Sequence, residues 1–128
     1  MISKRILVID DEGVICDACR LVLTEKGHHV AHRHSGMDGL SAIQTGGYDV
    51  ILLDMKLADM DGMEILQALK GTKPLPCVIV MTGYATMANA VQAMKLGAAD
   101  YLAKPFTDDE LISTIETACL KKQQGKSI

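Results

Sequence analysis

Aromatic residues are scarce in this chain of 128 residues, which has no tryptophan, one phenylalanine and three tyrosines. Proteins that read nucleic-acid bases by stacking present several aromatic rings, so the composition argues against that role. Basic runs are lacking too: 13 Lys and Arg residues stand against 16 Asp and Glu residues, which gives a net charge of −3. We therefore expect no direct contact with nucleic acid.

Long apolar runs are also missing, since the longest, such as residues 50–53, have only the length of a strand. A membrane-spanning helix needs about 20 apolar residues, so we expect no membrane association. No signal peptide is visible, because Lys4 and Arg5 precede only four apolar residues before an acidic segment. These features predict a cytoplasmic location. The hydrophobic fraction of 48% and the length favour one globular domain.

Apolar runs and amphipathic segments alternate along the chain, and most amphipathic segments end at a glycine. This alternation is typical of a repeated strand–helix unit. It predicts strands over residues 5–9, 28–32, 49–53, 78–81 and 100–103, and helices over residues 13–26, 36–46, 62–70, 86–96 and from 108 onward. Five units are too few for a barrel of eight, so we predict one α/β domain with a doubly wound, five-stranded parallel sheet.

Helical spacing of apolar residues assigns the buried faces of three helices. The first helix has apolar residues at helical spacing at Val14, Ile15, Ala18, Leu21 and Val22. The fourth is expected to turn inward Met87, Ala90, Val91 and Met94. The last has a stripe formed by Leu111, Ile112, Ile115, Ala118 and Cys119.

Polar residues follow four of the five predicted strands. These residues are Asp10, Asp11 and Glu12 after the first strand, Asp54 after the third, Thr82 and Gly83 after the fourth, and Lys104 and Pro105 after the fifth. Ligands of doubly wound sheets bind at the carboxyl ends of the strands. We therefore expect carboxylates, a hydroxyl and an ammonium group to converge at one edge of the sheet.

The chemistry of this set suits a divalent cation and a phosphoryl group. Carboxylates that lie so close repel one another, and a hard cation such as Mg²⁺ relieves the repulsion. Asp10 and Asp11 look like a paired metal clamp, while Lys104 and Thr82 could contact phosphoryl oxygens. A carboxylate can itself attack a phosphoryl group, and Asp54 is the best candidate because it ends the central strand. Taken singly, each of these acids could instead be a helix cap.

The segments at these strand ends resemble a known family. Over residues 4–122 the chain is similar to the receiver domain of two-component response regulators. The matching segments are residues 6–12, 51–55, 60–62, 80–84 and 97–106. The resemblance implies a flavodoxin-like fold with the strand order 2-1-3-4-5. It assigns residues 1–122 to the receiver domain and residues 123–128 to a linker stub or tail.

The resemblance also implies a role for each residue of the site. Asp54 accepts a phosphoryl group from a histidine kinase, and the domain performs no other enzymatic reaction than its own phosphorylation and dephosphorylation. Mg²⁺, which Mn²⁺ can replace, is held by Asp11, Asp54 and the backbone carbonyl of Lys56, with Asp10 assisting through water. The groups that bind the phosphoryl group are Thr82, Gly83 and Lys104.

A switch is implied as well. Thr82 and Tyr101 form the switch pair, and the Lys104–Pro105 peptide bond is expected to be cis. Phosphorylation is expected to change the face made by helix four, strand five and helix five, which could also carry a homodimer. One departure from the family pattern is Ala58, where many receivers have proline, and it leaves the rigidity of that loop in question.

Two other classes share parts of this pattern. A flavodoxin-like electron carrier would need a hydroxyl- and amide-rich loop after the first strand, whereas this chain has three acids there. A phosphatase of the haloacid dehalogenase type would carry its nucleophile on strand one with a second Asp two residues later, but position 12 is Glu. Both fit the residues less well than a phosphoacceptor does.

Cysteines and histidines give weaker signals. Cys16 and Cys19 form a C-x-x-C pair, but Cys77 and Cys119 form no second pair, so a four-thiolate zinc site is not supported. We expect reduced cysteines. Four histidines, at positions 28, 29, 32 and 34, cluster on the second strand, where polar residues would protect a sheet edge. Adventitious binding of Zn²⁺ or Ni²⁺ by these histidines is the weaker alternative.

The output of the domain is the last inference. Residues 81–98 resemble the receivers of nitrogen-regulation-type transcriptional activators, whose ATPase and DNA-binding domains are absent from this chain. We therefore expect a role in transcription regulation through an output domain, or else a stand-alone receiver that acts by protein contacts.

Overall fold

The computed structural model describes residues 2–72, 75–83 and 87–126. Strands and helices alternate in it as the sequence predicts. The strands are β1 (Arg5–Ile9), β2 (His29–Arg33), β3 (Val50–Asp54), β4 (Cys77–Thr82) and β5 (Asp100–Ala103). The helices are α1 (Gly13–Glu25), α2 (Gly36–Gly46), α3 (Gly62–Leu69), α4 (Met87–Lys95) and α5 (Asp108–Lys126). Thr86, the expected first residue of the fourth helix, lies outside the described residues.

All five strands are parallel and follow the order β2-β1-β3-β4-β5, which confirms the predicted fold class. The register aligns the ends of the strands: Ile9 pairs with Leu53, Asp54 with Met81, and Thr82 with Ala103. The residues that follow β1, β3, β4 and β5 therefore meet along one edge of the sheet. This edge is where the site residues were expected.

The sheet is covered on both faces by helices. Every residue of β3 is buried, as expected for the central strand of a parallel sheet. One core layer packs β1, β3 and β4 against α1 and α5, and it includes Val8, Leu52 and Ile115. The other packs the opposite side chains of these strands against α2, α3 and α4. Asp54 thus emerges from the most buried strand of the domain.

The buried face of α1 differs in part from the predicted one, since only Ile15 and Val22 of the predicted stripe pack against the core. Val14 and Leu21 are 79% and 69% exposed, while Cys16 and Cys19 are fully buried. The thiol of Cys16 donates to the carbonyl oxygen of Asp10 at 3.4 Å, a contact consistent with this rotation of the helix. A thiol behaves as a small apolar group, so the helix buries its cysteines at little cost.

The buried face of α4 also differs. Val91 and Met94, which were expected inside, are 45% and 41% exposed, whereas Ala90 and Ala93 are buried. Small residues let a helix approach a sheet closely, so the alanines occupy the contact and the larger side chains lie outside it. The side chain of Met87 lies outside the described residues.

Helix ends follow the predicted capping signals. Ser35 accepts a hydrogen bond from the backbone N–H of Asp38 at the start of α2, and Gly47 ends that helix with φ of 69°. Thr107 and Glu110 form a reciprocal capping box before α5. That helix continues to Lys126, through residues 123–126 that the sequence assigns to a linker stub or tail.

The loop between β3 and α3 is tied to the rest of the domain by Asp59. Its carboxylate accepts hydrogen bonds from the backbone N–H groups of Gly36 and Met37 at 2.7 and 3.0 Å. These bonds hold the pKa of Asp59 below its usual range. Within the loop, Lys56 and Asp61 form a bridge between their backbones. Asp59 therefore anchors the loop that contains Ala58 to the start of α2, and the Lys56–Asp61 bridge closes the loop internally.

Among the described helices, none combines the length and apolar character that crossing a bilayer requires.

Candidate functional site

A cleft opens at the carboxyl edge of the sheet, where residues from β1, β3, β4 and β5 meet. It has a volume of about 200 Å³ and is lined by Asp11, Glu12, Asp54, Lys56, Thr82, Gly83 and Lys104. The parallel register brings these positions together although they are separated by as many as 93 positions in the sequence. The structure thus groups the residues that follow the predicted strands, with Asp10 buried beneath them.

Lys104 lies at the centre of the acidic groups. Its Nζ atom is 2.7 Å from Oδ2 of Asp10, 3.4 Å from Oε1 of Glu12 and 3.5 Å from Oδ2 of Asp54. Burial opposes a charge on this amine, but the hydrogen bond that it donates to Asp10 and the three negative charges outweigh burial and raise the pKa of Lys104. The ammonium group therefore acts as an internal counter-ion for the site.

Asp10 is fully buried, and both of its carboxylate oxygens have partners. Oδ1 accepts from the backbone N–H of Glu12 at 2.9 Å, and Oδ2 accepts from Lys104. A buried carboxylate is stable only when its oxygens are satisfied in this way. Asp10 therefore fixes the position of the Lys104 ammonium group.

Asp54 is 5% exposed and ends the central strand. Its pKa is raised from 3.8 to about 6, mainly by burial, and the charge of Asp10 and a hydrogen bond with Asp10 add to the rise. The hydrogen bond from the backbone N–H of Lys56 and the charge of Lys104 lower the pKa and so oppose the rise. The N–H of Lys56 donates to Oδ1 at 3.1 Å. Oδ2 faces Lys104, so one carboxylate oxygen is held and the other lies beside a cation.

The oxygen atoms of Asp10, Glu12 and Asp54 fit a hard divalent cation. One carboxylate oxygen from each of the three lies within 4.8 Å of the others. Mg²⁺ and Mn²⁺ prefer oxygen ligands. The three carboxylates of Asp10, Glu12 and Asp54 surround one ammonium group, so the site has more negative charge than Lys104 alone can neutralise. A bound cation would remove that excess.

The sequence analysis places Glu12 at this edge of the sheet but gives it no role in the site. Glu12 contacts Lys104, and its carboxylate supplies one of the three oxygens that lie within 4.8 Å of one another. Asp11 lines the cleft, but it is exposed and supplies none of those three oxygens. The available signal was position: Glu12 is the third acid after β1. Asp11 and the carbonyl of Lys56 remain predicted metal ligands.

Thr82 and Tyr101 line a second cavity, of about 310 Å³, between the β3–α3 loop, the start of α3, β4, β5 and α4. Thr82 lines both this cavity and the acidic cleft, whereas Tyr101 lines the cavity but not the cleft. The side chain of Tyr101 is 39% exposed. The Lys104–Pro105 peptide bond, which follows β5, is cis. Tyr84, in one of the segments that match the family, lies outside the described residues.

Comparisons with known proteins agree with this geometry. The family model described as "Response regulator receiver domain" matches residues 6–116. The transcriptional regulatory protein ZraR of Escherichia coli is 38% identical over 113 residues, which are 88% of this chain and 26% of ZraR. An uncharacterised transcriptional regulatory protein, YkoG of Bacillus subtilis, is 36% identical and covers 92% of this chain and 52% of its own. This chain thus spans between a quarter and a half of these relatives.

Solved structures give the same result. A response regulator receiver domain protein described as CheY-like, from Methanospirillum hungatei, superposes with a TM-score of 0.89 and 31% identity, covering 97% of this chain and 99% of that one. NtrX from Brucella abortus superposes with a TM-score of 0.89 and 30% identity, covering 98% of this chain and 29% of NtrX.

Proposed function

Because this chain belongs to the response regulator receiver domains, which serve two-component signal transduction, we propose that Asp54 is its phosphoacceptor. The observation that supports this most is the Lys104 ammonium group, which lies 3.5 Å from Oδ2 of Asp54. A cation beside one oxygen of a buried nucleophile can also bind the oxygens of an incoming phosphoryl group. Phosphoryl transfer depends mainly on such positioning and charge neutralisation.

The reaction begins with a carboxylate oxygen of Asp54, which attacks the phosphorus atom of a phosphohistidine on a histidine kinase. The phosphorus–oxygen bond forms, the phosphorus–nitrogen bond breaks, and the imidazole leaves with the bonding electron pair and takes up a proton. Lys104, the hydroxyl of Thr82 and the backbone N–H of Gly83 are proposed to bind the phosphoryl oxygens. Mg²⁺ held by Asp10, Asp11, Glu12, Asp54 and the Lys56 carbonyl would neutralise charge.

A small-molecule phosphodonor tests this proposal directly. The whole chain is incubated with phosphoramidate or acetyl phosphate and Mg²⁺, and its intact mass is measured. We expect the mass of one phosphoryl group, stable in acid and labile in base, as an acyl phosphate is. A chain that gains no mass, or that instead turns over a phosphate monoester, would contradict the assignment.

We also propose that Thr82 and Tyr101 couple the site to the surface. Thr82 borders both the acidic cleft and the 310 Å³ cavity beside Tyr101. A hydroxyl drawn toward a phosphoryl oxygen would leave this cavity open to the Tyr101 ring. The ring is 39% exposed and adjoins Val91 and Met94 in an open apolar hollow, so its movement would change the α4–β5 surface.

Thr82→Val separates phosphorylation from this switch. Valine has the shape of threonine without the hydroxyl, so the fold is retained. The hydrogen bond from residue 82 to a phosphoryl oxygen, which would draw the end of β4 toward the phosphoryl group, is lost. We expect the variant to gain one phosphoryl mass, although more slowly, while NMR signals of the Tyr101 ring stay at their unphosphorylated positions. Thr45→Val, in α2, is the matched control and should keep both responses. An unaltered Tyr101 response in Thr82→Val would contradict the coupling.

The partners follow from the family. Receiver domains act together with histidine kinases, and the curated relatives carry additional sequence beyond the part that this chain matches. We infer a cytoplasmic protein whose α4–β5–α5 face contacts either an output domain that regulates transcription or a second copy of the domain. The exposed Val91, Met94 and Tyr101 provide apolar area on this face.

A further inference from the structure

A cysteine and two histidines lie close together on the face of the sheet that α1 covers, opposite the face that α4 covers. They are Cys16 of α1, His32 of β2 and His34, which directly follows β2. The Sγ atom of Cys16 and one ring nitrogen from each histidine all lie within 4.8 Å of one another. None of the three takes part in the proposed phosphoryl chemistry.

The fold explains why they meet. His32 pairs with Val8 of β1, and Val30, two residues earlier on β2, packs against the core layer that contains α1. Because side chains alternate along a strand, His32 lies on the same face as Val30. Cys16 is fully buried in that layer, and the His32 and His34 rings are 5.0 Å apart in an edge-to-face arrangement. The right-handed connection through α1 thus places a thiol over two imidazoles.

One ring nitrogen of His32 lacks a partner within the described part of the chain. Nδ1 of His32 is buried and makes no hydrogen bond with any of the residues that the structure describes. A buried polar atom without a partner is costly, and native structures contain few of them. A ligand that accepts the lone pair of this nitrogen would remove the cost.

We propose that Cys16, His32 and His34 form a binding site for a divalent transition-metal ion of the zinc class. One thiolate and two imidazoles are a donor set that Zn²⁺ and Co²⁺ prefer, and Mg²⁺ does not. The separation of the donor atoms allows coordination after small side-chain rotations. His34 is exposed, which gives the ion a path from solvent and leaves a fourth position open to water.

Binding changes the protonation of Cys16. The thiol loses its proton to solvent, a sulfur–metal bond forms, and both imidazoles coordinate in the neutral form. Burial raises the pKa of Cys16 to about 11, and the charges of Asp10 and Asp17 add to the rise while Lys104 opposes it. The metal must therefore compete with a firmly held proton. The hydrogen bond from Cys16 to the Asp10 carbonyl is lost in exchange.

Co²⁺ titration of the whole chain tests the site, because a thiolate bound to Co²⁺ gives a charge-transfer band in the near ultraviolet that carboxylates do not give. Under reducing conditions, and with excess Mg²⁺ present to occupy the acidic cleft, we expect this band to saturate at one Co²⁺ ion per chain and Zn²⁺ to abolish it. Cys16→Ser should lack the band. His34→Asn, at an exposed position, should bind Co²⁺ at least about tenfold more weakly, since even loss of a supporting partner costs that much.

Three controls identify the site. Cys119→Ser and His29→Asn change a thiol and an imidazole outside the cluster, and Asp54→Asn changes the acidic cleft. All three should keep the band and the wild-type affinity. A wild-type chain without the band, a band that survives Cys16→Ser, or an unchanged affinity in His34→Asn would overturn the proposal. The last measurement remains decisive if Cys16→Ser fails to fold.

Discussion

Asp54→Asn will gain no phosphoryl mass from acetyl phosphate and Mg²⁺, whereas the wild-type chain will gain one phosphoryl group. The amide of asparagine keeps the shape of the side chain and can still accept the N–H of Lys56, but it is not a nucleophile. Asp49→Asn is a matched control, because Asp49 lies immediately before β3, at its opposite end, where it accepts the N–H of Arg5. This control should label like the wild type. Undiminished labelling of Asp54→Asn would refute the assignment.

The pH dependence of labelling follows from the same residue. The pKa of Asp54 is raised to about 6 mainly by burial, so its carboxylate is protonated and unreactive at lower pH. We expect the labelling rate at low Mg²⁺ to fall as the pH drops through about 6. High Mg²⁺ favours the ionised form and should move the midpoint downward. A rate that is independent of pH between 5 and 8 at low Mg²⁺ would contradict this cause.

Asp54→Asn should also stabilise the metal-free domain. Since the folded pKa of about 6 exceeds the ordinary value of 3.8, Asp54 favours folding fully below pH 3.8, and this contribution is lost as the pH rises through about 6. Asparagine has no such loss. Above pH 7 the variant should therefore be more stable by on the order of 1 kcal/mol, after allowance for solvent in the cleft. Thermal unfolding at pH 5 and pH 8 measures the difference.

Lys104→Met should have the second-largest effect, because it removes the counter-ion and keeps the aliphatic stem. Asp10 and Asp54 are then left buried without a cation. Removing one partner of a buried ion pair costs about 3–5 kcal/mol, and because Lys104 lines a cleft and is 12% exposed we expect the lower end, about 3 kcal/mol at pH 7.5. Labelling should slow by about 100-fold, as when one charge-stabilising donor is removed.

The responses of Lys104→Met to pH and to Mg²⁺ show whether its loss of stability comes from the missing counter-ion or from lost packing. Without the ammonium group the pKa of Asp54 should rise further, so the stability deficit should shrink as the pH falls and the carboxylates take up protons. Mg²⁺ should bind the variant more tightly, because it no longer competes with an internal cation. Lys121→Met, at an exposed position of α5, should show none of these changes. A deficit that is equal at pH 5 and pH 8 would point to packing alone.

Much of the fold was predictable because the apolar runs and the capping residues of the sequence both indicate the same alternation of strands and helices. Continuous apolar runs mark strands that are buried on both faces, and the capping residues Ser35, Asp61 and Thr107 mark helix starts. Once the sheet is parallel, residues after successive strands must share one edge. The grouping of Asp54, Thr82 and Lys104 needed no further information.

Contacts that depend on the rotation of a helix were not predictable. The stripe predicted for α1 includes Val14 and Leu21, which are exposed, whereas Cys16, Cys19 and Leu23 are buried. In α4 the buried positions are those of Ala90 and Ala93. The proximity of Cys16 to His32 and His34 depends on the rotation of α1, so the sequence analysis treated the cysteines and histidines as separate features.

The anchoring of Asp59 on α2 has a consequence for the mobility of the β3–α3 loop. Position 58 of this loop is alanine, so the loop lacks the covalent constraint that a proline would give and that solution conditions do not alter. Here the constraint is an attraction between a carboxylate and the positive end of a helix, formed with Gly36 and Met37. Such an attraction is screened by salt and abolished by acid. The amplitude of loop motion should therefore depend on ionic strength, so the backbone around Lys56 would be more tightly ordered in dilute buffer than in concentrated salt.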